Sequence, residues 1–263
     1  MTEMDGQTHA FQADVARLLD LMVHSVYSER DIFLRELISN GADACEKLRH
    51  EALADPSLTA DCPSFLINVS LDKASRTVTV TDNGIGMSKE ELASSLGTIA
   101  RSGTRAFLEK LRADAKEDAP VGTDLIGQFG IGFYSAFMVA SHIDVLSRRA
   151  GTHDAYRWSS DGKGSFSIAP LALEEAPTRG TKVILHLNEA SDEYLDAYKV
   201  EKVLREYSSA IAVPVELTEL GQEANPENPE ENPEEKPNEP RKITDGSALW
   251  TKPKSAVSED EYT

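Results

Sequence analysis

A proline- and glutamate-rich stretch from Glu219 to Pro240 most limits what this chain can fold into. Its 22 residues include eight Glu, one Lys, five Pro and four Asn. Such a stretch has little apolar surface to bury, and its prolines lack amide donors, so the composition favours an extended, self-repelling linker. The sequence therefore predicts a folded domain over residues 1–218, a linker over 219–243 and the truncated start of another domain over 244–263.

Charge and composition argue against several classes of protein. The stretch holds seven of the eighteen net negative charges, and the remaining eleven belong to residues 1–218, because residues 241–263 are neutral. A protein that coats phosphates needs a basic face, so this balance argues against nucleic-acid binding. The 40% hydrophobic content supplies a core, and two cysteines indicate neither a disulfide framework nor a zinc site. With a polar amino terminus and no bilayer-length apolar run, we expect a cytoplasmic protein without a membrane partner.

The hydrophobic pattern predicts paired strands with helices gathered between them. Strict strand–helix alternation is missing, which counts against a doubly wound sheet. The sequence instead predicts an α+β fold, a two-layer sandwich whose mixed, mostly antiparallel sheet carries helices on one face. The predicted helices cover 15–26, about 31–48, 136–140 and 194–207, and a further helix is predicted to begin at the capping box formed by Ser88 and Glu91. The predicted strands cover 65–71, 76–81, 142–148, 155–159, 182–187 and 213–217.

Three polar residues share one face of the second predicted helix. At 100° per residue, Glu36, Asn40 and Asp43 fall within a sector of about 60°. Taken alone, this pattern is typical of a solvated helix face. As a functional set it is suggestive, because a carboxylate can polarise water and an amide oxygen is a hard ligand suited to Mg²⁺.

A second motif, Asp82-Asn-Gly-Ile-Gly86, follows a predicted strand. An ordinary turn would explain Asn83 and Gly84, since these residues tolerate positive φ. It does not explain Gly86 or the acid held at the strand end. A carboxylate there could accept a hydrogen bond from an exocyclic amine such as that of adenine, with glycines letting a flat ring approach the backbone.

A third motif, Gly127-Gln-Phe-Gly-Ile-Gly-Phe133, precedes a predicted helix. Glycines at this place leave free N–H groups at the positive end of the helix dipole, which favours anion binding. The segment lacks the spacing and the strand context of a Rossmann fingerprint, and the chain contains no G-x-x-x-x-G-K-[ST] phosphate loop.

The three motifs, in this order, resemble the ATP-binding fold shared by type II topoisomerases, mismatch-repair ATPases, sensor histidine kinases and heat-shock protein 90 chaperones. The segments Phe33–Asn40, Leu96–Thr104 and Ile126–Ser135 are similar, nearly residue for residue, to signatures of the heat-shock protein 90 family, in its bacterial high-temperature protein G type. The resemblance covers about residues 10–218 and identifies the amino-terminal ATP-binding domain of the Bergerat, or GHKL, fold. Ala248–Lys254 resembles the entry to that family's middle domain.

The resemblance implies a role for each matching residue. Glu36 matches the general base that activates the attacking water, Asn40 matches the Mg²⁺ ligand, and Asp82 matches the acceptor for the adenine amine. Further residues matching the nucleotide pocket are Asp43, Gly86, Met87 and Thr181.

The phosphate end of the pocket is implied in the same way. Arg101 matches a basic residue that reaches the phosphates, and Phe133, with the amides around Gly130 and Gly132, closes that end. Residues 97–127 match a lid that folds over bound ATP. Gly41 departs from the family, which more often has Ala after the Mg²⁺-binding Asn.

These matches imply a chaperone ATPase domain for stress response and protein folding, which binds ATP or ADP with Mg²⁺ and slowly hydrolyses ATP to drive conformational cycling on client proteins. Hydrolysis is expected to be weak or absent here, because the family's γ-phosphate arginine would lie beyond Thr263. The alternatives are a GHKL module of the sensor-kinase or DNA-repair type. The resemblance implies a homodimer for the full-length protein and a monomer for this fragment.

Overall fold

The computed structural model describes residues 29–98, 132–208, 211–220 and 239–246. The elements are named in chain order within these ranges. The helices are α1 (Ile32–Ala54), α2 (Lys89–Leu96) and α3 (Ala197–Ser208), with 3₁₀ turns at Pro56–Thr59, Gly132–Met138 and Glu189–Leu195. The strands are β1 (Ile67–Asp72), β2 (Thr77–Asp82), β3 (Ala140–Arg148), β4 (Ala155–Ser160), β5 (Ser167–Leu171), β6 (Gly180–Leu187), β7 (Val215–Leu220) and β8 (Arg241–Thr244).

The strands form one open sheet in the order β5-β4-β3-β6-β2-β1-β7-β8. Within the described ranges, β1 and β7 run parallel and the other neighbouring pairs run antiparallel. This arrangement confirms the predicted α+β class with a mixed, mostly antiparallel sheet. The predicted hairpin is β1 and β2, and its register places Val69 opposite Val80.

The core lies between the helices and one face of this sheet. Alternate residues of the strands, such as Val69, Val80 and Val145, pack with the buried side chains of all three described helices in a single cluster. Residues one position along each strand point to the other face, and many of them are polar, such as Asn68, Thr79 and Asp144. The helix-covered face is therefore where a buried site can form.

The first described helix is longer than predicted. Its buried stripe contains the predicted residues, including Leu34, Ile38 and Leu48. The helix continues to Ala54, because its last turn has no helix breaker before Pro56. The carboxylate of Asp55 then accepts a hydrogen bond from the backbone N–H of Ser57, which starts the 3₁₀ turn.

The predicted capping box at the start of α2 is confirmed. The N–H of Glu91 donates to Oγ of Ser88 at 3.2 Å, and the N–H of Ser88 donates to Oε2 of Glu91 at 2.8 Å. These reciprocal bonds satisfy two donors that a helix amino terminus otherwise leaves unpaired.

Two predicted helices have different bounds in the structure. The helix predicted over 136–140 is a 3₁₀ turn, Gly132–Met138, because Ala140 pairs with Leu187 as the first residue of β3. The helix predicted over 194–207 divides at Asp196, whose carboxylate accepts a hydrogen bond from the N–H of Lys199 and so begins α3 separately.

The sequence patterns missed β5 and β8. Strand β5 contains Pro170, which a sheet tolerates at its edge. Strand β8 begins inside the segment predicted as linker 219–243 and ends at Thr244, and the last two residues of β7 lie at the other end of that segment. Pairing of Arg241 with Leu217 extends the sheet of the first domain past the acidic stretch, while the division into domains stays a prediction.

Some predictions lie outside the described residues. These are the helix at 15–26, the lid at 97–127 apart from its first two residues, Arg101, Gly130 and the segment after 246. No helix in the described ranges combines the length and apolar character needed to span a membrane.

Candidate functional site

Helix α1 carries the predicted polar face from the protein surface into the interior. Asn40 is exposed and the Glu36 side chain is 23% exposed, whereas Asp43 is 2% exposed. At a rise of 1.5 Å per residue, the positions of Glu36 and Asp43 lie about 10 Å apart along the helix. The helix therefore presents an accessible carboxylate at one end of a site and a buried carboxylate at the other.

The accessible end of α1 lies directly against the glycine-rich motif. Oε1 of Glu36 accepts hydrogen bonds from the guanidinium of Arg35, with the shorter at 2.9 Å. A Cβ on Gly132 would lie 2.0 Å from Oε2 of Glu36 and 3.1 Å from its Cβ. A side chain on Gly132 would force the Glu36 carboxylate to move, so the structure brings Glu36 of the first motif against the described end of the third motif.

The buried end of the site is formed by Asp82, the last residue of β2. Asp82 pairs with Thr181 across the β2–β6 ladder, so their side chains share the helix-covered face. The carboxylate accepts hydrogen bonds from the backbone N–H groups of Gly84 and Thr181. Helix α1 covers it, because a Cβ on Gly41 would lie 3.3 Å from Cβ of Asp82.

Burial controls the electrostatics at this end. It raises the pKa of Asp82 to about 7, although the two N–H donors and the nearby charge of Lys47 favour the ionised form. Burial also lowers the pKa of Lys47, against the opposing effects of Asp43, Glu91 and Asp82. A carboxylate in this setting gains from an additional hydrogen-bond donor, which a ligand can supply.

The glycines of the second motif serve the packing of the turn. A Cβ on Gly84 would lie 2.5 Å from the carbonyl carbon of Ala44 in α1. Gly86 has φ of +67°, and a Cβ there would lie 2.0 Å from the carbonyl oxygen of Arg148. These contacts fix the turn between α1 and β3, a different reason for the glycines from the ring approach that the sequence suggested. A nucleotide contact of Gly86 stays a prediction.

Two further residues clamp this turn. The side chain of Asn83 accepts from the N–H of Leu66 and donates to the carbonyl of Ser64, each at 2.8 Å. Arg179 is 5% exposed, and its guanidinium donates to the carbonyl of Asn83 at 2.8 Å and to the carbonyl of Cys62 at 2.6 Å. Asp82 is therefore held by a rigid turn that is braced against the preceding loop.

The remaining predicted residues have mixed placements. Met87 packs against the core, and its N–H donates to the hydroxyl of Ser147 at 2.9 Å. The ring of Phe133 contacts Trp158 edge to face at 5.5 Å between centroids, so this side chain joins the aromatic core. Arg101 and Gly130 lie outside the described residues.

The sequence interpretation did not name Lys47 or Ser147. Lys47 follows Asp43 by one helical turn, so extending the polar face of α1 by four residues would have found it. Ser147 lies within a strand-like apolar run and gave no signal of its own. Only the β3–β6 register, which sets Ser147 opposite Thr181, shows that Ser147 lies next to the site.

Comparison with known proteins agrees with this geometry. The sequence profile of the family described as histidine kinase-, DNA gyrase B- and HSP90-like ATPase matches residues 32–179, which contain Glu36, Asn40, Asp43 and Asp82 but not Thr181. The chain belongs to this ATPase family. The match confirms the GHKL-type fold and extends from the start of α1 to the turn before β6.

Within the ATPase family, the chain is similar to bacterial proteins named chaperone protein HtpG. It is 52% identical to that of Rhizobium etli over 99% of this chain, 52% identical to that of Mesorhizobium japonicum over 98%, and 51% identical to that of Nitrobacter hamburgensis over 99%. These similarities confirm the resemblance to heat-shock protein 90 chaperones. The chain spans 38–39% of the length of these relatives.

Proposed function

We propose that this chain is the nucleotide-binding domain of a chaperone ATPase, which binds ATP with Mg²⁺ and slowly hydrolyses it to drive conformational cycling on client proteins. The observation that carries the proposal is Asp82, a buried carboxylate beneath α1 with acceptor capacity left for a ligand. The similarity to HtpG chaperones supports this function over the sensor-kinase and DNA-repair alternatives.

At the buried end, Asp82 accepts a hydrogen bond from the exocyclic amine of adenine. Oδ1 already accepts from Gly84, and the ionised carboxylate has further lone pairs for the amine. Thr181 lies beside it on β6, and Asp43 and Met87 complete this part of the pocket, with Gly86 in the turn. Burial strengthens these bonds by excluding competing water.

At the accessible end, Glu36 acts as the general base that orients and activates the attacking water. Its Oε2 faces the backbone of Gly132, so a phosphate bound at the glycine-rich motif would lie near the base. Phe133, Gly130 and Arg101 belong to the same end of the proposed site. A carboxylate within hydrogen-bond reach of water is the arrangement that general-base catalysis needs.

The residues present also fit Mg²⁺ bound together with a nucleotide. Across the described ranges, no cluster of three or more His, Cys, Asp or Glu side chains is arranged to hold a metal by itself. Mg²⁺ in phosphoryl-transfer sites instead takes one or two protein oxygens together with substrate phosphates and waters. The exposed amide of Asn40 would supply such an oxygen, one helical turn from Glu36. The bound ion would neutralise phosphate charge.

The wider biology is part of the same proposal. We expect the complete protein to act on client proteins in the cytoplasm as a homodimer, and this chain to be a monomer without nucleotide. Neither a nucleic-acid nor a membrane partner is proposed.

The Asp82→Asn variant tests the adenine end. Without the ionised acceptor, we expect calorimetry to show about a 100-fold loss of ADP affinity in the presence of Mg²⁺, because a buried charge-assisted hydrogen bond is lost. Asp72→Asn is the matched control, since that carboxylate caps the turn at the opposite end of the β1–β2 hairpin. Unchanged ADP affinity in Asp82→Asn would show that the adenine assignment is wrong.

The Glu36→Ala variant tests the catalytic end. We expect ADP affinity to stay within about threefold and any release of phosphate from ATP to fall to background, because the variant lacks a base. Glu46→Ala, elsewhere on α1, should retain the original rate. Transfer of labelled phosphate to protein instead of water would favour the sensor-kinase alternative.

A further inference from the structure

Ser147 of β3 lies beneath the buried end of the site. The residue is fully buried and has three polar partners within hydrogen-bond distance. The N–H of Met87 lies 2.9 Å from its Oγ, the carbonyl oxygen of Gly180 lies at 3.1 Å, and Oγ1 of Thr181 lies at 3.0 Å. One hydroxyl therefore contacts the turn after β2 and two consecutive residues at the start of β6.

The chemistry of these partners fixes the direction of each bond. A backbone N–H can only donate and a carbonyl oxygen can only accept, whereas a hydroxyl has one proton and two lone pairs. All three contacts are hydrogen bonds only if Ser147 donates to Gly180 and accepts from both Met87 and Thr181. If Ser147 donated to Thr181 instead, the carbonyl of Gly180 would face oxygen lone pairs in a buried place, which is unfavourable.

This direction determines what Thr181 can offer to a ligand. Its only hydroxyl proton is used in the bond to Ser147, so only lone pairs remain on the pocket side. Asp82, directly opposite Thr181 in the β2–β6 register, is also an acceptor when ionised. The base-binding end thus presents two neighbouring acceptors, which suit the edge of a ligand that carries donors.

We infer that Ser147 is a positioning residue for nucleobase specificity. By holding the Thr181 proton away from the ligand, it makes the site favour a 6-aminopurine and disfavour a 6-oxopurine, whose carbonyl would face acceptors. The inference rests on the proposed function, since it concerns the site proposed to bind adenine. It assigns to Ser147 a role that the sequence motifs did not indicate.

The test compares ADP with inosine diphosphate, which carries a carbonyl in place of the amine at position 6. Affinities of both nucleotides are measured by calorimetry for the unaltered chain and for Ser147→Ala, Ser147→Thr and Ser147→Cys. In Ser147→Ala the Thr181 proton is free to point at the ligand, so we expect the preference for ADP to fall about tenfold. Ser147→Thr keeps the hydroxyl and should keep the preference, and Ser147→Cys, a weaker acceptor of nearly the same size, should lower it partly.

The same measurement on Thr181→Val and on the double variant Ser147→Ala/Thr181→Val isolates the coupling between the two residues. If Ser147 acts through Thr181, replacing Ser147 should not change the preference once the Thr181 hydroxyl is absent. An equal loss of affinity for both nucleotides in Ser147→Ala and Ser147→Cys would show a merely structural role and overturn the inference. An unchanged preference in these variants would overturn it as well. Failure of the unaltered chain to bind either nucleotide would instead overturn the proposed function, and this inference with it.

Discussion

Asp82 and Asp144 are both buried aspartates of the central sheet, yet they lie on opposite faces in opposite electrostatic settings. Asp144, on the polar face of β3, accepts two hydrogen bonds from Arg157 at 2.9 and 2.7 Å, and it also contacts Ser159 and His186. Although burial opposes ionisation, these partners hold the pKa of Asp144 well below its usual value. Burial raises the pKa of Asp82 to about 7, because its two backbone N–H donors and the nearby charge of Lys47 offset the cost of burying the charged form only in part.

The difference separates a structural charge from a functional one. Asp144 has a bidentate cationic partner, so its charge ties β3 to β4 and leaves little capacity for a ligand. Asp82 retains acceptor capacity beneath α1, where burial disfavours its ionised form. A ligand that donates a hydrogen bond to it would stabilise the ionised carboxylate. Burial alone would not have told the two residues apart.

The largest effect on stability is expected from Asp144→Asn. Loss of the ionised acceptor leaves Arg157 without its ion-pair partner, so we expect the free energy of unfolding to fall by about 2–4 kcal/mol. Urea denaturation measures this loss, and calorimetry at a temperature where the variant is folded should show unchanged ADP affinity. A variant of Asp144 that loses ADP affinity while staying stable would remove the distinction between the two aspartates.

The dependence of stability on pH should have opposite signs at the two sites. The folded pKa of Asp82 lies above its usual value of 3.8, so its stabilising contribution is complete below that value and is lost as pH rises through 7. Between pH 5 and 8, the unaltered chain should lose about 2–3 kcal/mol that Asp82→Asn does not lose. The contribution of Asp144, whose pKa is lowered, is present above pH 3.8 and is lost as pH falls below it.

Urea denaturation of the unaltered chain, Asp82→Asn and Asp144→Asn at one-unit steps from pH 3 to 8 checks both signs. Each variant is compared with the unaltered chain at the same pH, so that titration of other groups cancels. If the curves of the unaltered chain and Asp82→Asn stay parallel from pH 5 to 8, Asp82 does not titrate in this window and the proposed contrast fails.

The sequence predicted best what depends on local pattern. The α1 stripe, the β1–β2 hairpin and the Ser88 capping box are set by residues close together in the chain, and the structure confirms them. The edge strands β5 and β8 were missed because they depend on pairing with distant strands. Strand β8 in particular follows an acidic stretch that no local pattern would connect to the sheet.

The same limit applies to the candidate site. Glu36, Asn40 and Asp43 were identified by helical periodicity, and Asp82 by its position at a strand end. Ser147 and the bracing contacts of Arg179 were not found, because they arise from the β3–β6 register and from the folding of the 61–62 loop onto the turn. Recognising a motif located the acceptor, but only the tertiary structure showed what orients it.

The smallest predicted effect concerns helix α1, which packs over Asp82 but not over Asp144. Gly41→Ala should favour α1 by about 0.5–1 kcal/mol through helix propensity, but its Cβ would meet Asp82 at 3.3 Å and Ile67 at 3.4 Å. A shift of a few tenths of an ångström relieves both contacts, so we expect the free energy of unfolding to rise by up to about 0.5 kcal/mol and ADP affinity to change less than twofold.

Gly84→Ala is the contrasting variant, because its Cβ would meet rigid backbone of α1, 2.5 Å from the carbonyl carbon of Ala44 and 2.6 Å from the nitrogen of Cys45. It should lower the free energy of unfolding, since the whole turn must move away from the helix. If Gly41→Ala were as destabilising as Gly84→Ala, α1 would be unable to shift away from Asp82. The raised pKa of Asp82 would then depend on a helix that is fixed in place above it. Asp144 differs, because its charge is compensated by neighbouring side chains.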